Sequence, residues 1–188
     1  MFIVRKIYAF LTDTIQTILL AASVFLVIYI FLFRPFQVSG QSMFPTFRDQ
    51  EYILTNLISL RLGPLHRGDV VVFKAPPPNT GKDFIKRVIG LPGDTVELKN
   101  GFVYVNGQKL DESVYLASSV RSYGGAFLAN DQLITVPQGY YFVMGDNRPE
   151  SSDSREWGYV SQSEMIGKSF FVYWPVSEIH LIKNPYSG

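Results

Sequence analysis

The chain contains no cysteine and only two histidines, His66 and His180. Without cysteine there are no disulfides, no thiol nucleophile and no zinc site built on sulfur. The absence leaves the compartment open. Neither histidine stands near a second cluster of ligand-type residues, which argues against a metal site and against a Ser-His-Asp triad. Charge of one sign is also lacking: 17 Lys and Arg stand against 16 Asp and Glu, a net charge of +1. Nucleic-acid modules are usually more basic, with the charge clustered, so no nucleic-acid partner is expected. No metal and no cofactor is expected either, and no internal repeat is visible. What the chain has is apolar surface. Hydrophobic residues make up 47% of 188 positions, enough for one domain of ordinary size or a smaller domain plus an anchor.

The anchor is Thr14 to Phe33, "TIQTILLAASVFLVIYIFLF", twenty residues without a charge. At about 1.5 Å per residue such a helix reaches about 30 Å, the thickness of a bilayer core. Arg5 and Lys6 precede it, and Arg34 closes it. The competing reading is a cleaved signal peptide, with Val38-Ser39-Gly40 supplying small residues for the cut. The run is longer than the roughly 7–15 residues of a typical signal-peptide core, which favours a retained transmembrane helix. The positive residues before it weakly favour a cytoplasmic N-terminus, although Asp13 and Arg34 blur the bias. Residues 1–34 are thus a short N-terminus and a membrane helix, and residues 35–188 lie on one side of the membrane.

Beyond Arg34 the pattern becomes short and β-like. Glu51–Ile58, Asp69–Ala75, Asp83–Gly90 and Asp94–Lys99 are rich in β-branched and aromatic residues. Asn100-Gly101 between "TVELK" and "FVYV" is a two-residue hairpin signal, and Asn106-Gly107 offers another turn. Tyr140–Gly145 and Lys168–Trp174 supply later strands. Pro76-Pro77-Pro78 marks a loop and Pro92-Gly93 a turn. Residues 111–132 are polar, contain Gly124-Gly125, and read as an insertion or long loop. The expected fold is mainly β: a single N-terminal transmembrane helix followed by an all-β domain.

Three stretches carry possible chemistry. "VSGQSMFPTF", Val38 to Phe47, follows the apolar run. It is a cleavage site, a plain turn leaving the membrane, or the loop of a nucleophile. Ser42 stands between Gly40 and Pro45, and a nucleophile needs such a turn to project its oxygen while backbone N–H groups stay free. A serine also needs a base. In "DFIKRVIG" strand alternation sets Phe84, Lys86 and Val88 on one face. An apolar setting would lower the Lys86 pKa and leave a neutral amine, whereas an edge-strand lysine would simply reach water. "GDNRPESSDSREWG", Gly145 to Gly158, is dense in hydroxyls and paired charges. It is either a solvated loop or a source of groups that orient a base.

Together "SGQSMFPT", "KRVIGLPGD" and "GDNRPESSDSREWG", in this order and after an apolar segment, resemble the three signature regions of the type I signal peptidases. These are membrane-bound serine proteases that remove signal peptides, and the resemblance covers nearly the whole chain. It implies a β-rich catalytic domain and a Ser-Lys dyad, with Ser42 as nucleophile and Lys86 as general base. Ser151 would hydrogen-bond the lysine amine and aim it. Asp146 would pair with Arg87 and Asp153 with Arg155, as supports. Met43 and Phe44 would touch the substrate or the membrane, and Phe36 and Phe47 could join them. The Ser42 N–H would be one oxyanion donor. Some relatives carry a serine hydroxyl where this chain has Gly40, so the second donor stays open. Partners would be secretory precursors and the lipid bilayer, in a cell membrane or a thylakoid. Two rivals are a catalytically inactive membrane-anchored paralogue that only binds, and a self-cleaving Ser/Lys relative. The first is expected to lose the serine or the lysine, and the second to carry a DNA-binding helical domain and no anchor.

Overall fold

The computed structural model describes residues 2–77 and 80–187; Pro78, the last residue of the triple-proline loop, lies outside the described residues. Two compact units divide the chain after Arg34. The first is dominated by one helix, α1 (Phe2–Leu32), of 31 residues. It begins well before Thr14 and runs through Arg5, Lys6 and Asp13, because nothing in that stretch breaks a helix: it holds no glycine or proline. Within Phe2–Tyr29 an 18-residue stretch has a mean hydropathy of 1.9, and none of that stretch is buried within the protein. A helix that is apolar all round and uncovered has the make-up of a membrane span.

The second unit is built from β1 (Phe33–Gln37, whose first two residues precede the boundary), β2 (Tyr52–Asn56), β3 (Val70–Lys74), β4 (Asp83–Gly90), β5 (Thr95–Lys99), β6 (Phe102–Val105), β7 (Gln108–Lys109), β8 (Leu133–Thr135), β9 (Tyr140–Met144), β10 (Val160–Ser161), β11 (Met165–Trp174) and β12 (His180–Leu181). Two short helices, α2 (Ser59–Leu62) and α3 (Ser154–Trp157), interrupt the strands. The large sheet has the order β1-β2-β11-β3-β4-β9-β10, with β12 also paired to β11; the small sheet has the order β7-β6-β5-β8. Asn100-Gly101 turns β5 into β6 with φ of 52° and 78°, and Asn106-Gly107 turns β6 into β7 with 53° and 74°. Positive φ at both residues is what a tight hairpin turn of the primed type requires. Residues 111–132 contain no strand or helix.

Alternation along the strands divides the core. Val71, Phe73, Val88 and Val143 pack on one face of the large sheet, with Phe84 beside them. Val70, Val72, Ile53 and Val172 pack on the other, with Ile85 beside them. A third cluster joins Ile89, Phe142 and Met144 to Val96, Leu98, Val103 and Val105 of the small sheet. Met43 and Phe47 belong to the second cluster, at 1% and 0% exposure. This corrects the expectation that they face substrate or membrane. A turn that folds back on a sheet buries every apolar side chain on its inner side, whatever the turn does on its outer side.

Candidate active site

Ser42 sits in the irregular turn between β1 and β2, and Lys86 in the middle of β4. β4 is flanked by β3 and β9, so its backbone is fixed on both sides. Lys86 Nζ lies 2.8 Å from Ser42 Oγ and 3.0 Å from the Ile85 carbonyl oxygen, to which it donates. The Phe84 ring lies 5.2 Å from the same nitrogen. Only 4% of Lys86 is exposed. Burial is the main reason that its pKa falls from 10.5 to about 8. The carboxylates of Asp153 and Asp146 pull it up and Arg155 pushes it down. Both carboxylates are already committed to arginines, so desolvation prevails.

The two ion pairs are buried. Arg87 donates through Nε and Nη2 to the two oxygens of Asp146 at 2.9 and 2.6 Å, and through Nη1 to the Gly68 carbonyl at 2.8 Å. Thr46 Oγ1, from the nucleophile turn, donates to the same Asp146 at 2.5 Å. Arg155 donates to both oxygens of Asp153 at 2.8 Å, and Asp153 also accepts from the Gly145 N–H at 3.0 Å. Truncating one partner of such a pair leaves a buried charge alone and costs about 3–5 kcal/mol. The Arg87–Asp146 pair therefore holds the 145–155 segment against β4 and, through Thr46, against the turn of Ser42, while Asp153 and Arg155 brace the segment internally.

Ser151 departs from its expected role. Its Oγ is buried and has no hydrogen-bond partner among the described residues. The second partner of Lys86 is the Ile85 carbonyl instead. Ser151 does lie close to the site: a Cβ added to Gly145 would come within 2.2 Å of its Oγ and 2.4 Å of the Ser42 carbonyl oxygen. Glycine at 145 is thus what lets the segment approach the nucleophile turn. Gly40, with φ of 88°, donates its N–H to Asp49 Oδ1 at 2.7 Å, so that N–H is engaged. The Ser42 N–H makes no hydrogen bond to another described residue. Phe44 is half exposed.

Ser42 and Lys86 open onto a cleft of about 230 Å³ whose apolar walls include Phe36, Val38, Ile53, Val72 and Ile85. Phe36 alone among them was singled out from the sequence; Val38, Ile53, Val72 and Ile85 escape sequence reading because they come from three different strands and a turn. Arg148, Glu112 and Ser122 also escape it. Arg148 is fully buried and donates through Nη2 and Nη1 to Glu112 at 2.5 and 3.1 Å, through Nη1 to Ser122 Oγ at 2.6 Å, and through Nε to the Gly145 carbonyl at 3.0 Å. An arginine inside a motif rich in acids was the one available signal.

A β-rich body follows an apolar N-terminal helix, and a serine and a buried lysine share one cleft, the make-up of a serine hydrolase with an N-terminal apolar helix. Residues 11–174 match the family model described as "Signal peptidase, peptidase S26". "Signal peptidase IB" of Staphylococcus aureus (strain MRSA252) is 38% identical over 187 residues, covering 92% of this chain and 96% of the relative. "Signal peptidase I S" of Bacillus subtilis (strain 168) is 39% identical over 168 residues, covering 87% and 89%. A solved signal peptidase I from Enterococcus faecalis V583 is 35% identical, with a TM-score of 0.45, and covers 56% of this chain and 97% of that one. The chain belongs to the signal peptidase family, peptidase S26. It is a serine peptidase that hydrolyses peptide bonds in precursors bearing signal peptides, and its N-terminal apolar helix fits a membrane anchor.

Proposed function

We propose that cleavage proceeds by a Ser42–Lys86 dyad through an acyl-enzyme. The observation that carries this reading is the 2.8 Å contact between Ser42 Oγ and a buried Lys86 whose pKa is brought to about 8. Neutral Nζ takes the proton as Oγ bonds to the carbonyl carbon before the scissile bond, and the carbonyl electron pair moves onto oxygen. The Ser42 N–H meets that oxyanion. The pair returns, the C–N bond breaks, and the ammonium of Lys86 gives its proton to the leaving amine. Water, deprotonated by Lys86, then hydrolyses the ester. The apolar cleft receives small side chains that precede the cut.

Support roles follow from the contacts. Arg87–Asp146 and Asp153–Arg155 hold the two loops in register. Phe44 meets the membrane or the substrate, and α1 keeps the enzyme at the bilayer of a plasma membrane or thylakoid. Arg5 and Lys6 favour an N-terminus on the cytoplasmic side and a catalytic unit on the opposite side. The inactive-paralogue reading loses ground because both dyad residues are present and in contact.

The test is Ser42→Ala in the full-length protein in detergent, with the cut of a secretory precursor read by mass. Activity is expected to fall to background in a protein that still folds, at a cost of about 1–3 kcal/mol for taking a hydrogen-bond partner from the buried Lys86 amine. Wild-type cleavage by this variant removes the dyad. The same assay in sealed inverted vesicles reads sidedness: precursor added outside is expected to be cut only after the membrane is opened.

A further inference from the structure

Among the described residues, Asn147 is the residue of the 145–155 segment that hydrogen-bonds to the backbone of the nucleophile itself. Its N–H donates to the Ser42 carbonyl at 3.0 Å, and its side-chain Nδ2 donates to the Gln41 carbonyl at 3.0 Å. Two successive peptide units are therefore gripped from one side. The Gln41 carbonyl and the Ser42 N–H belong to the same planar peptide, and in a trans peptide they point in opposite directions. The bond from Asn147 Nδ2 thus turns the Ser42 N–H away from the segment and leaves it without a partner among the described residues. A backbone bond from the Phe44 N–H to the same Gln41 carbonyl, at 3.0 Å, shapes the turn internally. It does not tie the turn to anything else. Asn147 does, because its segment is anchored through Asp146 to Arg87, the neighbour of Lys86.

We propose that Asn147 is a positioning residue for the oxyanion: its side-chain amide fixes the Gln41–Ser42 peptide so that the Ser42 N–H is aimed where negative charge develops. The inference rests on the Ser42 reading above. Among the described residues Asn147 makes no hydrogen bond to the Lys86 amine and does not line the apolar cleft, so its loss leaves general-base chemistry and substrate seating in place. What weakens is one donor to a charge that exists in the tetrahedral intermediate. Removing an oxyanion donor outright lowers kcat by about 100- to 1,000-fold. Loosening one is expected to lower it by about 10- to 100-fold.

The experiment compares wild type, Asn147→Ala and Asn147→Leu, full length in detergent, with Ser42→Ala alongside. Both Asn147 variants keep the backbone N–H bond to Ser42, and leucine keeps the side-chain bulk. The probes are a precursor-derived peptide substrate, the matching peptide aldehyde and the matching peptide alcohol. Ser42 Oγ adds to the aldehyde carbon, giving a tetrahedral adduct whose oxygen seeks the same donor; the alcohol cannot add. The expected result is a parallel loss in kcat and in aldehyde affinity, with KM, alcohol affinity and the pH at which activity rises all unchanged. Wild-type kcat in both variants overturns the proposal. A loss of kcat with aldehyde affinity intact, or with a moved pH profile, overturns it too, as does global unfolding of both variants, which makes Asn147 a folding residue. If Ser42→Ala retains activity, the dyad reading fails and this proposal falls with it; wild-type kcat in the Asn147 variants beside an inactive Ser42→Ala overturns this proposal alone.

Discussion

Lys86 shows how one buried side chain trades stability for chemistry. A lysine of ordinary pKa is neutral in roughly one molecule in 250 at pH 8, whereas one at about 8 is neutral in about half. The cost falls on the fold. Because the folded pKa is lowered, the unfolded chain binds the proton more tightly between about pH 8 and 10.5. Stability from this group is fully present above that window and is lost as pH falls through about 8. Each unit of lowering is worth about 1.4 kcal/mol. Lys86→Met is therefore expected to be inactive yet more stable at pH 7, by on the order of 1–3 kcal/mol, with the gain narrowing above pH 8. Lys86→Arg is expected to be inactive as well, because a guanidinium does not deprotonate in this range. A pH–rate profile of the wild type should rise through a value near 8. Urea unfolding of Lys86→Met at pH 7 and pH 10 checks the stability half. An active Lys86→Arg, or an activity limb at pH 10, sends the search for the base elsewhere.

At the scale of elements, the irregular 111–132 stretch has a definite task. Its Glu112 and Ser122 are the side-chain partners of the fully buried Arg148, and Arg148 in turn donates to the Gly145 carbonyl. The insertion thereby holds the start of the segment that carries Asp146, Asn147 and Asp153. Glu112→Ala leaves a guanidinium buried against one hydroxyl and one carbonyl, and is expected to cost about 3–5 kcal/mol. Thermal unfolding of the full-length variant measures this; a loss under about 1 kcal/mol would mean that water reaches Arg148 and the insertion is dispensable. None of this was legible beforehand, since a polar stretch without periodicity carries no sign of what its partly buried Glu112 meets. The strands of alternating β-branched residues were legible, β4 down to its bounds at Asp83 and Gly90. β8, β10 and β12 were not, because two or three residues at sheet edges leave no alternation to read. Ser42 and Lys86 stood out through the resemblance of three motifs, in order, to those of the signal peptidases; spacing alone left a turn serine and an edge-strand lysine as the plainer readings. Met43 misled, because its neighbours in sequence are exposed while its neighbours in space are Val38, Ile53 and Val72. Asn147 was hidden among turn formers: its meaning lies in two carbonyl groups about a hundred residues upstream.

At the scale of the whole molecule, anchoring and folding separate. The three hydrophobic clusters draw on no side chain before Phe36, and Pro35–Gly188 forms its own compact unit. α1 contributes no residue to those clusters, so what it supplies is proximity to a substrate confined to the same membrane. Tethering turns an encounter in solution into one at an effective concentration of the order of millimolar. A protein lacking residues 1–34 is therefore expected to fold and to cleave precursor with kcat near that of the full chain. At micromolar dilution of both partners it should lose most of its rate. The exposed side chains of Phe44, Trp174, Val176, Ile179 and Leu181 remain on the truncated unit. Apolar groups left uncovered in water favour self-association or an amphiphile, so the truncated enzyme should work better with detergent or lipid than without. The measurement is a dilution series of truncated and full-length enzyme on one precursor, in plain buffer and in detergent, beside a circular-dichroism melt of each. A truncated protein that fails to melt cooperatively would show that α1 is part of the fold. One that matches the full chain at every dilution in plain buffer would show that the helix gives no proximity and that the exposed apolar groups need no cover.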